Sequence, residues 1–216
     1  MALPTITNAQ GVTRLTLKTT VSANVGDLIG HDGTDWVLAD ADGRIPAQFM
    51  AMESIGAGAE LQVCRSGVLT DTDAPYTAGV DQYLTATAGA HGAVPVISST
   101  LTVLQRIGKA LSTSEVSFDL SRRGPDALRA RVAYDPASLA GATARSDTVS
   151  VTGLQTTDVI RGAQVAAITG TGWDSGLVVQ GFDVSGANTL RARLVNATAG
   201  ALDGASVNLD LYVERW

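Results

Sequence analysis

A chain of 216 residues is long enough for one large β domain or for two small domains of about 100 residues each. Its formal net charge of −6 argues against a nucleic-acid binder, which needs clustered Lys and Arg to contact phosphates. The single cysteine excludes an intrachain disulfide, and no apolar run approaches the about 18 residues of a membrane span.

The first segment, residues 1–20, is an arm that carries six threonines and few apolar side chains. Leu15 and Leu17 alternate with Thr16 and Lys18, so we expect the arm to become a strand toward its end. Because β-branched residues favour an extended chain but little apolar mass anchors it, we expect the arm to be mobile in the free protein. It would become ordered by adding as a strand to a partner.

Residues 21–120 read as a module of short strands separated by turns. The Asp32-Gly33 and Asp42-Gly43 pairs are typical of tight turns between strands. The predicted strands are Asp27–Ile29, Trp36–Leu38, Phe49–Glu53, Leu61–Val68 with a break near Gly67, Tyr83–Leu84, Leu101–Ile107 and Val116–Leu120.

Residues 121–145 are predicted to be a linker. Ser121-Arg-Arg-Gly-Pro125 cannot lie inside a sheet, because Pro125 donates no ladder hydrogen bond. Asp126–Val132 is predicted to be a short helix with Asp126 near its start. We place the domain boundary in this linker.

Residues 146–216 read as a second β module, best seen in the alternation of Val207, Leu209, Leu211 and Val213 with polar residues. Five strands in this length fit a small antiparallel β-sandwich or an open barrel. They are Thr148–Thr152, Val159–Ile168, Leu177–Val184, Thr189–Val195 and Val207–Val213.

A search for catalytic or metal-binding residues predicts no site of either kind, and no cofactor. A Ser-His-Asp site would have to use His31 or His91, which both lie in predicted loops or turns. Asp27, Asp32, Asp35, Asp71 and Asp73 fit turn chemistry better than a metal site. Cys64 and the Asn196-Ala-Thr198 sequon are interpreted as structural.

Two residue sets remain as candidate contact surfaces. One is a set of arginines that fits a solvated linker with scattered charge best, an acidic protein partner next and nucleic acid least: Arg122, Arg123, Arg129 and Arg131. The other is the set of tryptophans, which could form a sugar platform but are more readily core or interface residues: Trp36, Trp173 and Trp216.

Several segments resemble the lambda-type head decoration (cement) proteins of tailed bacteriophages, small β-rich proteins that sit as trimers on capsids. In the first module these segments are Val25–Gly30, Trp36–Asp40, Phe49–Glu53, Gly58–Val63, Arg65–Val68, Tyr76–Gly79, Tyr83–Thr85 and Gln105–Ala110. In the second module, a resemblance to a C-terminal β domain of phage virion proteins is carried by Tyr134–Ala140, Thr148–Gly153, Val184–Leu190 and Asn196–Gly200.

The resemblance implies an all-β protein with a β-barrel-like (β-tulip) decoration module at 21–120 and a projecting β-sandwich at 146–216. It also implies a non-enzymatic homotrimer that binds the major capsid protein on the virion surface after assembly in the bacterial cytoplasm. The alternative is a head or tail fibre adhesin whose second module binds host surface glycans. A polysaccharide-degrading enzyme is a third class, for which the sequence offers no convergent acids.

Overall fold

A computed structural model describes residues 3–73, 75–121, 126–168, 176–204 and 206–215. Within these ranges the chain forms strands and no helix, which confirms the predicted all-β class. Consequently no described residue belongs to a helix that is long and apolar enough to cross a membrane.

The described residues form eighteen strands, which are numbered in chain order. They are β1 (Thr5–Gln10), β2 (Thr13–Thr16), β3 (Leu28–His31), β4 (Trp36–Leu38), β5 (Phe49–Ala51), β6 (Glu60–Cys64), β7 (Ser66–Thr70), β8 (Asp81–Leu84), β9 (His91–Gly92), β10 (Thr102–Val103), β11 (Arg106–Ala110), β12 (Glu115–Asp119), β13 (Asp126–Tyr134), β14 (Thr143–Ser150), β15 (Val159–Ile168), β16 (Leu177–Gly186), β17 (Thr189–Asn196) and β18 (Val207–Arg215).

The chain divides into two compact units, and the first comprises Met1–Val96 and Val103–Asp126. Its strands form a six-stranded sheet in the order β1-β7-β12-β11-β8-β9 and a five-stranded sheet in the order β2-β6-β5-β3-β4. Both sheets are open, so among the described residues each ends in edge strands rather than closing on itself. Their neighbouring strands pair antiparallel.

The predicted strand Leu61–Val68 is in fact two strands that belong to different sheets. β6 ends at Cys64, β7 begins at Ser66, and Arg65 alone separates them. The apolar run continues across the change of sheet, because Val63, Cys64 and Leu69 are all buried. Hydrophobicity alone therefore could not locate the break.

The prediction of a free N-terminal arm is wrong. β1 pairs with β7 within its own chain, and β2 pairs with β6. Leu15 and Leu17 are 8% and 2% exposed and belong to the same buried cluster as Phe49 and Leu61. Burial of these two leucines anchors the segment, although its average apolar content is low.

Gly108 lets two strands of the six-stranded sheet approach closely. It lies in β11 opposite Phe118 of β12. A Cβ atom built at this position would lie 2.0 Å from the backbone oxygen of Ser117. Only glycine fits this approach without moving the backbone.

The second unit comprises Ile97–Thr102 and Ala127–Trp216. Its strands form a four-stranded sheet in the order β10-β13-β18-β15 and a three-stranded antiparallel sheet in the order β14-β17-β16. Alternate residues of β18 and β17 are buried, which is the pattern expected of strands that cover a core with one face. β15 begins and ends at the residues predicted for this strand, Val159–Ile168.

The predicted helix at Asp126–Val132 is wrong, because these residues are the first part of β13. Leu128, Ala130 and Val132 are buried, so the apolar side chains recur with the period of a strand and not of a helix. β13 lies inside the predicted linker at 121–145, whereas Arg122–Pro125 lie outside the described residues.

Candidate functional site

The acidic residues around His31 stabilise a turn. The N–H of Gly33 donates to Nδ1 of His31 at 3.1 Å. Oδ1 of Asp32 accepts the N–H groups of Asp35 at 2.8 Å and of Thr34 at 2.9 Å. These backbone hydrogen bonds, that of Asp35 first, lower the pKa of the Asp32 carboxyl. The hydrogen bonds of the turn thus occupy Oδ1 of Asp32, an acceptor that a metal site would have needed.

No group of three or more His, Cys, Asp or Glu side chains in the described ranges is arranged to hold a metal ion. Asp71 follows the same turn chemistry as Asp32, because its Oδ1 accepts the N–H of Asp73 at 3.0 Å.

His91 lies in an open depression of about 220 Å³ in the first unit, which we call the His91 pocket. Three separate segments build it: the turn before β3, the end of β7 with the loop after it, and β9. Its lining residues are Val25, Gly26, Asp27, Leu69, Asp71, Tyr76, Gly89, Ala90 and His91.

Gly26 brings the turn before β3 onto the end of β7. Its φ of +90° lies in the region that favours glycine, and a Cβ there would lie 3.2 Å from Cδ1 of Leu69. The turn closes with the N–H of Asn24, which donates to Oδ2 of Asp27 at 2.7 Å. This arrangement holds the Asp27 carboxylate against the pocket, where burial raises its pKa.

The imidazole of His91 is held by stacking and not by hydrogen bonds. Its ring lies 5.7 Å from the ring of Tyr76, with 18° between the two planes. Nδ1 is buried and has no hydrogen-bond partner among the described residues. Burial lowers the pKa of His91, while the nearby Asp71 carboxylate opposes that effect. Burial and the same carboxylate raise the pKa of Tyr76 to about 12.

A second open depression, of about 490 Å³, lies beside β2 and includes Trp36. Trp36 packs edge-on against Phe49 with the ring centres 5.5 Å apart, and the Arg65 guanidinium lies 4.8 Å from the centre of the Phe49 ring. The described tryptophan is therefore used in packing. Trp173 and Trp216, the other members of the predicted sugar platform, lie outside the described residues.

The two described members of the predicted basic cluster share one carboxylate within the second unit. Arg129 and Arg131 both bind Asp210 of β18, Arg129 through one bond of 2.8 Å and Arg131 through two of 2.7 and 2.8 Å. Arg131, followed by Arg129, lowers the pKa of Asp210 to about 2. Arg122 and Arg123 lie outside the described residues.

The three-stranded sheet of the second unit carries a similar but more exposed arrangement. Nε of Arg191 donates to Asp183 at 3.0 Å, and Arg193 lies 3.5 Å from the same carboxylate. Asp183 and Arg193 line an open depression of about 530 Å³ together with Phe182, Gln180 and Gly181. An aromatic ring, an amide, a carboxylate and a guanidinium therefore share one surface.

Two other residues considered for reactivity are buried and engaged in structure. Nδ2 of Asn196 donates to the backbone oxygens of Leu139 at 2.9 Å and Gly200 at 2.8 Å, so the sequon asparagine is used in the fold. The Cys64 thiol is fully buried 3.9 Å from the Met50 oxygen, and burial raises its pKa to about 11. A thiol in this state is unreactive.

The edge strand β1 offers a third type of surface. It pairs with β7 on one side only, at the end of the six-stranded sheet. Most of its side chains are exposed, including Thr5, Thr7 and Gln10. An edge strand has backbone donors and acceptors that another chain can pair with.

No protein-family model matches this chain, and no curated protein or solved structure is significantly similar to it. Its function is therefore argued from its own residues. Sequence reasoning missed the His91 pocket because the signal is spread over three segments that only the fold brings together. The polar residues at 27, 71 and 91 carried no common spacing that could have joined them.

Proposed function

We propose that this chain is a structural virion protein that binds the exterior of a tailed-phage capsid as a trimeric decoration protein. One observation carries the proposal: most of the first-module segments that resemble decoration proteins overlap strands of a single compact unit. Trp36–Asp40 spans β4, Phe49–Glu53 spans β5, and Gln105–Ala110 spans β11. The first-module segments of the resemblance therefore belong to one folded unit.

In this proposal the first unit is the barrel-like module that contacts the capsid, and β1 is its anchor. β1 already forms the end of a sheet, so an added strand from the major capsid protein would continue the six-stranded sheet without rearrangement. The polar, exposed side chains of β1 are suited to an edge that stays soluble until its partner is present.

The second unit is proposed to be the sandwich that projects from the capsid. Its three-stranded sheet carries an exposed cluster of ion pairs, in which Asp183 contacts Arg191 and Arg193. Such a surface suits a domain that faces solvent, because ion pairs of this kind keep charge at the surface with little cost.

The experiment mixes the purified chain with undecorated heads of the phage that encodes it and images them by cryo-electron microscopy. We expect ordered density at capsid symmetry axes, and a free protein with three times the 22.2 kDa mass of the chain in native mass spectrometry. Heads without added density would refute the decoration role, and a monomeric mass would refute the trimer.

A variant with a matched control tests the anchor. Thr5→Lys with Thr7→Lys places two charges on the exposed side of β1, where we expect a loss of head binding of at least about tenfold. Thr19→Lys with Thr20→Lys adds the same charge at exposed positions outside the strand, and we expect it to bind as the parent does. If both variants bound heads equally well, the anchor would be another surface of the first unit.

A second candidate function is that of a fibre adhesin that binds host glycans. The depression around Phe182 favours it, because an aromatic ring beside hydrogen-bonding groups is a common way to bind a sugar. A glycan array probed with the full chain and with Phe182→Ala tests this. Binding of a defined sugar by the parent but not by the variant would support the adhesin, whereas no binding by the parent would exclude it.

A further inference from the structure

We propose that the His91 pocket is a binding site for a primary alkylammonium group, such as the side chain of a lysine. The proposal does not depend on the capsid role, because it is drawn from the pocket's own residues. The expected ligand has a cationic head with three hydrogen-bond donors on a short apolar stem.

The first argument is uncompensated charge. Asp27 and Asp71 both line the pocket, and neither forms an ion pair with a described Lys, Arg or His. Each carboxylate accepts one backbone N–H, from Asn24 and Asp73 respectively, which leaves acceptor positions free. Half-buried carboxylates without a cation are costly, and a bound cation would remove that cost.

The second argument is the unused nitrogen of His91. Burial lowers the pKa of this imidazole, which favours the neutral ring at pH 7. A neutral ring has one nitrogen that accepts a hydrogen bond, and the buried Nδ1 has no hydrogen-bond partner among the described residues. Both carboxylates and the imidazole line the same pocket, and an ammonium group carries three donors that can bind acceptors of this kind.

The third argument is the shape and polarity of the remaining wall. Val25, Leu69 and Ala90 supply apolar surface beside the acceptors. An alkyl stem would pack on this surface, whereas a bare metal ion would leave it in contact with water. The volume of about 220 Å³ suits a short stem and its head, since a water molecule takes about 30 Å³.

The test is a nuclear magnetic resonance titration of the full-length, ¹⁵N-histidine-labelled chain with n-butylammonium at pH 7. We expect the His91 ring signals to shift and saturate. The second histidine is an internal control: Nδ1 of His31 already accepts the N–H of Gly33, so its signals should not move. The neutral analogue n-butanol should leave both rings unchanged, and equal shifts with butanol and butylammonium would overturn the proposal.

Two single variants identify the acceptors. Asp27→Asn and Asp71→Asn should each weaken butylammonium binding about tenfold, the effect of losing one charge-assisted hydrogen bond. Circular dichroism of each variant establishes that it is folded, and Asp73→Asn, at an exposed position outside the pocket, is the matched control. Unchanged binding in both pocket variants would overturn the proposal.

Further titrations separate the possible ligands. Nα-acetyl-lysine methylamide should bind at least as tightly as butylammonium if the natural source is a lysine of a partner protein, and more weakly if it is a free amine. Guanidinium should bind less well, because its planar donors match the three acceptors poorly. Saturable shifts with calcium chloride alone would show a metal site, and equal binding of guanidinium would show an unselective cation site. Both results would overturn the proposal.

Discussion

Replacing Asp210 by Asn should destabilise the second unit, because two arginines would lose their carboxylate partner. Asp210 is 6% exposed and binds both Arg129 and Arg131. A fall in pKa from 3.8 to about 2 corresponds to about 2.4 kcal/mol of preference for the ionised form, at 1.36 kcal/mol per tenfold change. Because Arg131 is 41% exposed, solvent screening reduces this value, and we expect a loss of about 1–2 kcal/mol at pH 7.

The pH dependence follows from the sign of this shift. A carboxyl group whose pKa is lower in the folded state stabilises the fold above its unfolded pKa and ceases to do so as pH falls through its folded pKa. The gap between the parent and Asp210→Asn should therefore be full at pH 7, about half as large at pH 3, and small at pH 2.

Urea unfolding followed by circular dichroism at these pH values measures the gap. The control is Asp183→Asn, which removes a carboxylate that also contacts two arginines but has a side chain that is 36% exposed. We expect the control to change the free energy of unfolding very little at any pH. Equal losses in the two variants, or a gap for Asp210→Asn that does not shrink at low pH, would refute the reasoning.

Three further outcomes are expected from packing and burial. Gly108→Ala should cost about 3 kcal/mol in urea unfolding because its Cβ would clash with backbone, whereas Gly181→Ala, which has open space around it, should be neutral within about 0.5 kcal/mol. Leu17→Ala should cost about 3 kcal/mol and Leu111→Ala, at 53% exposure, less than about 0.5 kcal/mol, and equal losses would contradict the assigned core. Cys64 should resist iodoacetamide in the native protein and react in urea, and rapid native labelling would show that the thiol is not buried.

The strands of the second unit could be predicted closely because their alternation is strong. β15 lies at the predicted Val159–Ile168, and β18 begins at Val207 as predicted. Because one face of each strand must be buried, apolar residues recur at every second position, and this pattern can be recognised in the sequence. The pattern was weaker at Asp126–Val132, where alanine and arginine also fit a helix, and there the prediction was wrong.

What could not be predicted depends on residues that are far apart in the chain. Arg129 and Arg131 were recognised as a basic cluster, but their partner Asp210 lies about 80 residues later and is reached only through the pairing of β13 with β18. The pairing of β1 with β7 could not be predicted for the same reason, because the polar sequence of β1 contains no local signal of its partner strand. Long-range pairing decides both cases, and local pattern carries no information on it.

The treatment of carboxylates within this one chain bears on the His91 pocket. The buried carboxylates Asp158 and Asp210 are each bound by arginine, Asp158 by Arg215 at 2.6 Å and Asp210 by its arginines at 2.7–2.8 Å. An internal cation thus compensates each of them. Asp27 is half-buried and has no such partner among the described residues, and it lines the same pocket as His91, whose Nδ1 has no hydrogen-bond partner among them. A fold that neutralises its buried acids elsewhere but leaves these acceptors open is arranged to receive its cation from outside.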